Sequence, residues 1–205
     1  MIEAKDMQKD IGRKDKDIYT KEFYVSFKVG DQVCEHVVCK NKNMTPLGID
    51  LDRSGHVEAI RGEFIIDITG DVFVETLDEW FAPTEGILID TSFGLENGIN
   101  GKHMFGNMGG VFLDGFEKLT THDIDGDGVV SGDELESLAI WIDANSNAQL
   151  DDGELSTLAS HNIVSLNTQH KNLKSFVILS DGSSFLMEDL VFSEEEQDTI
   201  VESRR

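Results

Sequence analysis

The stretch HDIDGDGVVSGDELESLAIWIDANSNAQLDDGEL, residues 122–155, decides how this chain is read. Four acidic side chains, Asp123, Asp125, Asp127 and Glu134, crowd its first part. Carboxylates about 4 Å apart repel by roughly 4 kcal/mol at an effective dielectric of about 20. A cation turns that repulsion into coordination. The spacing matches the twelve-residue EF-hand loop: Asp123, Asp125 and Asp127 at positions 1, 3 and 5, and Gly128 at the sharp turn of position 6. Val129 offers its carbonyl at 7, Ser131 an oxygen at 9, and Glu134 a bidentate carboxylate at 12. Val130, at 8, is the apolar residue that pairs one such loop with another.

A second loop begins twenty residues later. Asp143, Asn145 and Asn147 take positions 1, 3 and 5, Gln149 gives a carbonyl at 7, Asp151 stands at 9 and Glu154 at 12. Ala148 replaces the glycine, which costs of order 1 kcal/mol in a left-handed conformation. Fewer charges and a strained turn predict weaker binding than in the first loop. So short a separation leaves room for one shared helix, DELESLAIWI, with Leu135, Leu138, Trp141 and Ile142 on its apolar face. The expected fold class is therefore α+β: short strands and hairpins around a compact EF-hand-like pair of calcium loops sharing one short helix.

A third, partial loop lies upstream. Asp50, Asp52 and Ser54 have the 1-3-5 pattern, Gly55 stands at 6, His56 at 7 and Glu58 at 9. Position 12 is Arg61, so a ligand from elsewhere in the chain would have to close it. Asp67-Thr69-Asp71 and Asp90-Ser92 are fainter echoes of the same pattern.

Composition fits a cation binder. Of 205 residues, 40 are acidic and 17 basic, for a net charge of −23. Such a chain has little with which to neutralise phosphates, so nucleic acid is not an expected partner. No apolar run is long enough for a membrane-spanning helix, so membrane insertion is not expected either. Calcium ions are the expected partner, and a protein partner stays unidentified. The N-terminus has no apolar core of a secretory signal. Cys34 and Cys39 read as ordinary strand residues. Along the chain, residues 1–17 read as a flexible segment, 18–43 as a β-hairpin extension, 44–193 as the calcium-binding domain and 194–205 as an acidic tail.

The order TPLGIDLDRSGHV, IDITGDVFVETLDEW, NGINGKHMFG, the two loops and SFVILSDGSSFLMEDLVF resembles a bacterial domain associated with repeats-in-toxin (RTX) proteins, over roughly residues 44–193. Its best-known members are self-processing modules of iron-regulated RTX proteins. The resemblance implies a module that folds on binding calcium, and in some members then cuts an Asp–Pro bond at its own N-terminal edge and forms an Asp–Lys isopeptide bond. Here Pro46 follows Thr45, which has no carboxylate to attack its own carbonyl, so a non-catalytic relative is expected. His103 stands where the family has a glutamate, so a calcium ion is not expected in that loop. The resemblance also implies export by a signal-peptide-independent route to the exterior or cell surface. The alternatives are a cytoplasmic calcium sensor or buffer and a calcium-triggered self-processing protein.

Overall fold

The computed structural model describes residues 21–29, 32–40 and 43–193. The segments read as a flexible N-terminus and an acidic tail lie outside them. The chain divides into two units, Met1–Lys42 and Asn43–Arg205. In the first, β1 (Lys21–Val29) and β2 (Gln32–Lys40) pair antiparallel from Lys21↔Lys40 to Val29↔Gln32. Cys34 and Cys39 both fall on β2.

The second unit contains β3 (Asn43–Met44), β4 (Leu47–Ile49), β5 (Ala59–Ile66), β6 (Glu75–Phe81), β7 (Gly86–Asp90), α1 (Gly115–Leu119), β8 (Val129–Ser131), β9 (Leu138–Trp141), β10 (Leu155–Thr157), β11 (Ile163–Asn167), β12 (Lys174–Leu179), β13 (Ser184–Asp189) and β14 (Phe192–Ser193). Eight of these strands form one antiparallel sheet in the order β10-β9-β7-β4-β13-β12-β11-β8. β5 and β6 form a separate hairpin, and β14 pairs with β3.

The central strands are apolar on both faces, and each face has its own core. Along β7, Ile87 and Ile89 pack with Trp80, Phe81, Trp141 and Phe192, whereas Leu88 packs with Phe105, Phe116, Leu138 and Ile140. This is the period-2 alternation of a strand buried on both sides. Trp80 centres the aromatic cluster, 5.5 Å from Phe81, 5.8 Å from Trp141 and 5.7 Å from Phe192 between ring centroids. Gly48, on β4, admits the edge of Phe81: a Cβ there would lie 2.5 Å from its ring. Fully burying one large apolar side chain contributes about 1.5–3 kcal/mol.

This architecture corrects the α+β expectation. The fold is mostly β, and α1, continued by one tight 3-10 turn at Thr120–His122, is the only α-helix among the described residues. The shared helix does not form. Gly132–Leu135 is a 3-10 turn, and LAIW, residues 138–141, is β9, paired with β7 on one side and β10 on the other. The reason is amphipathic period. Leu138 and Ile140 enter one core while Ala139 and Trp141 enter the other. Two opposed apolar faces suit a central strand, and a helix would scatter those four side chains around its circumference. Of the apolar residues expected on that helix, Leu138 and Trp141 are buried but Leu135 and Ile142 only half-buried, and Leu155, on edge strand β10, is 36% exposed. Nor do the two loops pair with each other: Val130 faces Leu166 of β11. The sheet curls, so that Gly132, Leu135 and Glu136 after β8 line one hollow with Thr157, Leu158 and Ala159 after β10.

Candidate metal centres

In the loop at 123–134, side-chain oxygens fold the backbone around themselves. Asp123 accepts from the amides of Asp127 (3.1 Å) and Gly128 (2.9 Å), Asp125 from Asp127 (3.1 Å), and Asp127 from Val129 (2.8 Å). Glu134 reaches back with both oxygens, to the amides of Ile124 (2.7 Å) and Ser131 (2.9 Å). Those amides hold the Glu134 carboxyl below the usual range. Carboxylate oxygens of Asp123, Asp125 and Glu134 come within 4.8 Å of one another. Val129 and Ser131 lie on β8, at an edge of the sheet.

The loop at 143–154 repeats this network bond for bond. Asp143 accepts from Asn147 (3.1 Å) and Ala148 (2.7 Å), Asn145 from Asn147 (3.1 Å), and Asn147 from Gln149 (2.8 Å). Glu154 accepts from Ala144 (3.0 Å) and Asp151 (2.9 Å). Ala148 takes the left-handed conformation, φ +57°, where Gly128 has φ +90°. Two further bonds tie this loop to the aromatic core: Trp80 Nε1 donates to Asp143 at 2.8 Å, and Trp141 Nε1 to Glu154 at 3.2 Å. Asp151 accepts from the side-chain amides of Asn145 and Asn147 at 2.7 and 2.8 Å.

The partial loop at 50–58 makes the first half of the pattern. Asp50 accepts from Ser54 (2.9 Å) and Gly55 (2.8 Å), and Asp52 from Ser54 (3.0 Å). The Ser54 hydroxyl donates to the His56 carbonyl at 2.9 Å. Glu58 faces away toward the His56 ring, 3.3 Å from Nε2, and Arg61 reaches Glu79 at 3.5 Å. Sequence reading missed Glu85, whose carboxylate lies with those of Asp50 and Asp52 within 4.8 Å. Burial pushes the Glu85 carboxyl up to about 7; the Glu58 backbone opposes this in part, and the charges of Asp52, Asp50 and Glu58 add to it. The signal that pointed beyond the loop was its unfilled twelfth position, Arg61.

The fainter echoes are built differently. Asp67 accepts from Asp71 (3.0 Å) and Val72 (3.0 Å), and Glu75 takes the Ile68 amide at 3.0 Å and the Thr69 hydroxyl at 3.1 Å. Asp90 accepts from Ser92 and stands 3.3 Å from His122 Nε2. Burial would raise its carboxyl, but the His122 and Ser92 bonds outweigh this and lower it to about 2.

The SPM domain family matches residues 47–194, the span that holds all of these loops. The chain belongs to the SPM domain family. No curated protein matches it. The SPM domain takes in β4 to β14 and every loop above, and it leaves out the β1–β2 hairpin.

Thr45 and Pro46 immediately precede the matched SPM domain and are held from several sides. The Thr45 hydroxyl accepts the Asn107 amide at 3.1 Å, and the Pro46 carbonyl accepts the Leu190 amide at 3.2 Å. Asp189 accepts the Gly115 amide at 2.7 Å with one oxygen; the other has no partner among the described residues, and burial pushes this carboxyl well up. In the NGINGKHMFG segment of the SPM domain, the His103 ring contacts the Gly94 carbonyl at 2.7 Å and the Asn100 side chain at 3.0 Å. Beside it the buried Lys118 ammonium donates to the carbonyls of Lys102 and Met104, at 2.6 and 2.5 Å.

Proposed function

We propose that residues 44–193 are a calcium-binding module whose folding and stability depend on Ca2+, non-catalytic, and suited to completing its fold outside the cell. The observation that carries the reading is the same six-bond network in two twelve-residue loops, the first of which brings carboxylate oxygens of Asp123, Asp125 and Glu134 within 4.8 Å of one another. Calcium takes six to eight such oxygens at about 2.3–2.6 Å. A filled site adds RT ln(1 + [Ca]/Kd), about 4 kcal/mol when calcium is about a thousandfold above Kd. A domain is stable by only about 5–15 kcal/mol, so two sites decide whether this one folds. Weak sites fill at millimolar extracellular calcium and stay empty at the low calcium of the cytosol. The absence of catalysis rests on Thr45, which lacks the carboxylate that self-processing at Pro46 would need.

Thermal melting and far-UV circular dichroism in excess chelator, millimolar calcium and millimolar magnesium test the reading. Calcium should raise the melting point by more than about 10 °C, or produce a cooperative transition where chelator gives none, at about 2–4 °C per kcal/mol for a chain of this size. Equal melting in chelator and calcium would sink it. The chain should also run intact on a denaturing gel after incubation with calcium; a cut between Thr45 and Pro46 would overturn the non-catalytic half.

A further inference from the structure

We infer that Glu85 closes a third cation site with Asp50 and Asp52, supplying from a distant turn the carboxylate that position 12 supplies in the other two loops. The inference rests on the calcium reading above and adds a ligand that loop spacing does not contain. The loop at 50–58 has the amide bonds to positions 1 and 3 but none of those made by a twelfth-position glutamate, because Arg61 holds that place and faces Glu79. Glu85 is delivered by the turn between β6 and β7. The Ala82 amide donates to the Glu58 carbonyl at 2.9 Å, and the Glu85 amide donates back to Ala82 at 3.0 Å. This packs the turn against the end of the loop.

The Glu85 side chain is fully buried, at 0% exposure, and neither of its carboxylate oxygens has a hydrogen-bond partner among the described residues. Buried carboxylates are ordinarily bonded, paired or ligated, because leaving one bare is costly. Here the near groups are two more carboxylates, one of them Asp50 at 2% exposure. Three converging carboxylates with no basic side chain among them call for a divalent cation. The Ser54 hydroxyl and the His56 carbonyl, now bonded to each other, add two neutral oxygens on the same loop. An all-oxygen set of mixed charge, with Asp50 and Glu85 buried and Asp52, Ser54 and His56 exposed, suits the large and flexible coordination of calcium better than magnesium, which demands a strict octahedron.

The test counts calcium bound per full-length chain by equilibrium dialysis at neutral pH. Glu85→Gln should bind one ion fewer than wild type, and Asp52→Asn, at an exposed position, should lose the same ion. A Glu134→Gln/Glu154→Gln double variant should keep one ion that adding Glu85→Gln removes; if the double variant fails to fold, the two single variants decide. In chelator Glu85→Gln should melt no lower than wild type, since its carboxylate oxygens have no hydrogen bond to lose, and calcium should then raise its melting point by less. Equal stoichiometry and equal calcium-induced shifts in wild type and Glu85→Gln would overturn the third site and leave the two loops standing. A wild-type chain that binds no calcium would overturn the proposed function with it.

Discussion

The loops at 123–134 and 143–154 are the same device in two settings. Their six internal bonds correspond position by position, yet the first lies largely in solvent on edge strand β8, and the second is sunk against the aromatic core. The first offers four carboxylates, Asp123, Asp125, Asp127 and Glu134; the second offers three, Asp143, Asp151 and Glu154. Asp143 and Glu154 are 2% and 8% exposed and accept the indole N–H groups of Trp80 and Trp141. Charge count favours the first loop for affinity. On the proposed reading, burial makes the second the one through which an ion would act on the core. Affinity and leverage on folding need not reside in the same loop.

The largest expected effect breaks this symmetry through stability. Asp143→Ala deprives the Trp80 indole and the Ala148 amide of their acceptor in the interior. At about 1–3 kcal/mol for each buried donor left unsatisfied, the loss should reach roughly 3 kcal/mol or more. Both variants also forfeit an ion; beyond that shared loss, the equivalent Asp123→Ala leaves its amides free to bond water and should cost only about 1 kcal/mol. Denaturant unfolding of both variants in calcium measures the difference. Equal losses would mean that the indole bonds carry no more than the turn itself.

The next contrast concerns ion affinity. Glu134→Gln should weaken the tightest calcium phase by about tenfold or more in calorimetric titration, because the twelfth position is the bidentate ligand. Glu154→Gln should spare that phase. Terbium emission sensitised by tryptophan should follow the second loop most strongly, since Trp80 and Trp141 touch its first and twelfth residues. Glu154→Gln should therefore cut the emission sharply and Glu134→Gln preserve it. The opposite pattern would reverse the ranking by charge.

What could be read in advance follows from range. Every bond of the six-bond network spans at most ten residues, so a local spacing rule contains it. The bond from Trp80 to Asp143 spans 63 residues and awaited the fold. Glu85 lies far from Asp50 in sequence, and the unfilled position at Arg61 announced that a ligand was missing without saying which. The misread helix has another cause. LAIWI, residues 138–142, is a five-residue apolar run, too short for periodicity to separate a buried strand from a helix face. The expectation of an EF-hand pair supplied the helix, and the sheet's demand for a two-faced central strand overrode it.

The smallest effect concerns the sixth position, where the two loops differ by one methyl. Gly128 has φ +90°, and a Cβ there would meet Gln169 Nε2 at 3.2 Å, a flexible side chain able to yield. Gly128→Ala should therefore cost about 1 kcal/mol, mostly backbone strain. The reverse change is not its mirror image. Ala148 holds a left-handed φ of +57° and is 3% exposed, packed into the core beside Trp80 and Trp141. Ala148→Gly relieves a strain of about 1 kcal/mol but forfeits a buried methyl of about 0.8 kcal/mol. The two nearly cancel, so stability should move by less than about 0.5 kcal/mol. Chemical denaturation of both variants in calcium checks the asymmetry. A clear gain in Ala148→Gly would show that the alanine is tolerated and contributes nothing to packing. A clear loss would show that the methyl anchors the second loop to the core, sharpening the contrast between the loops.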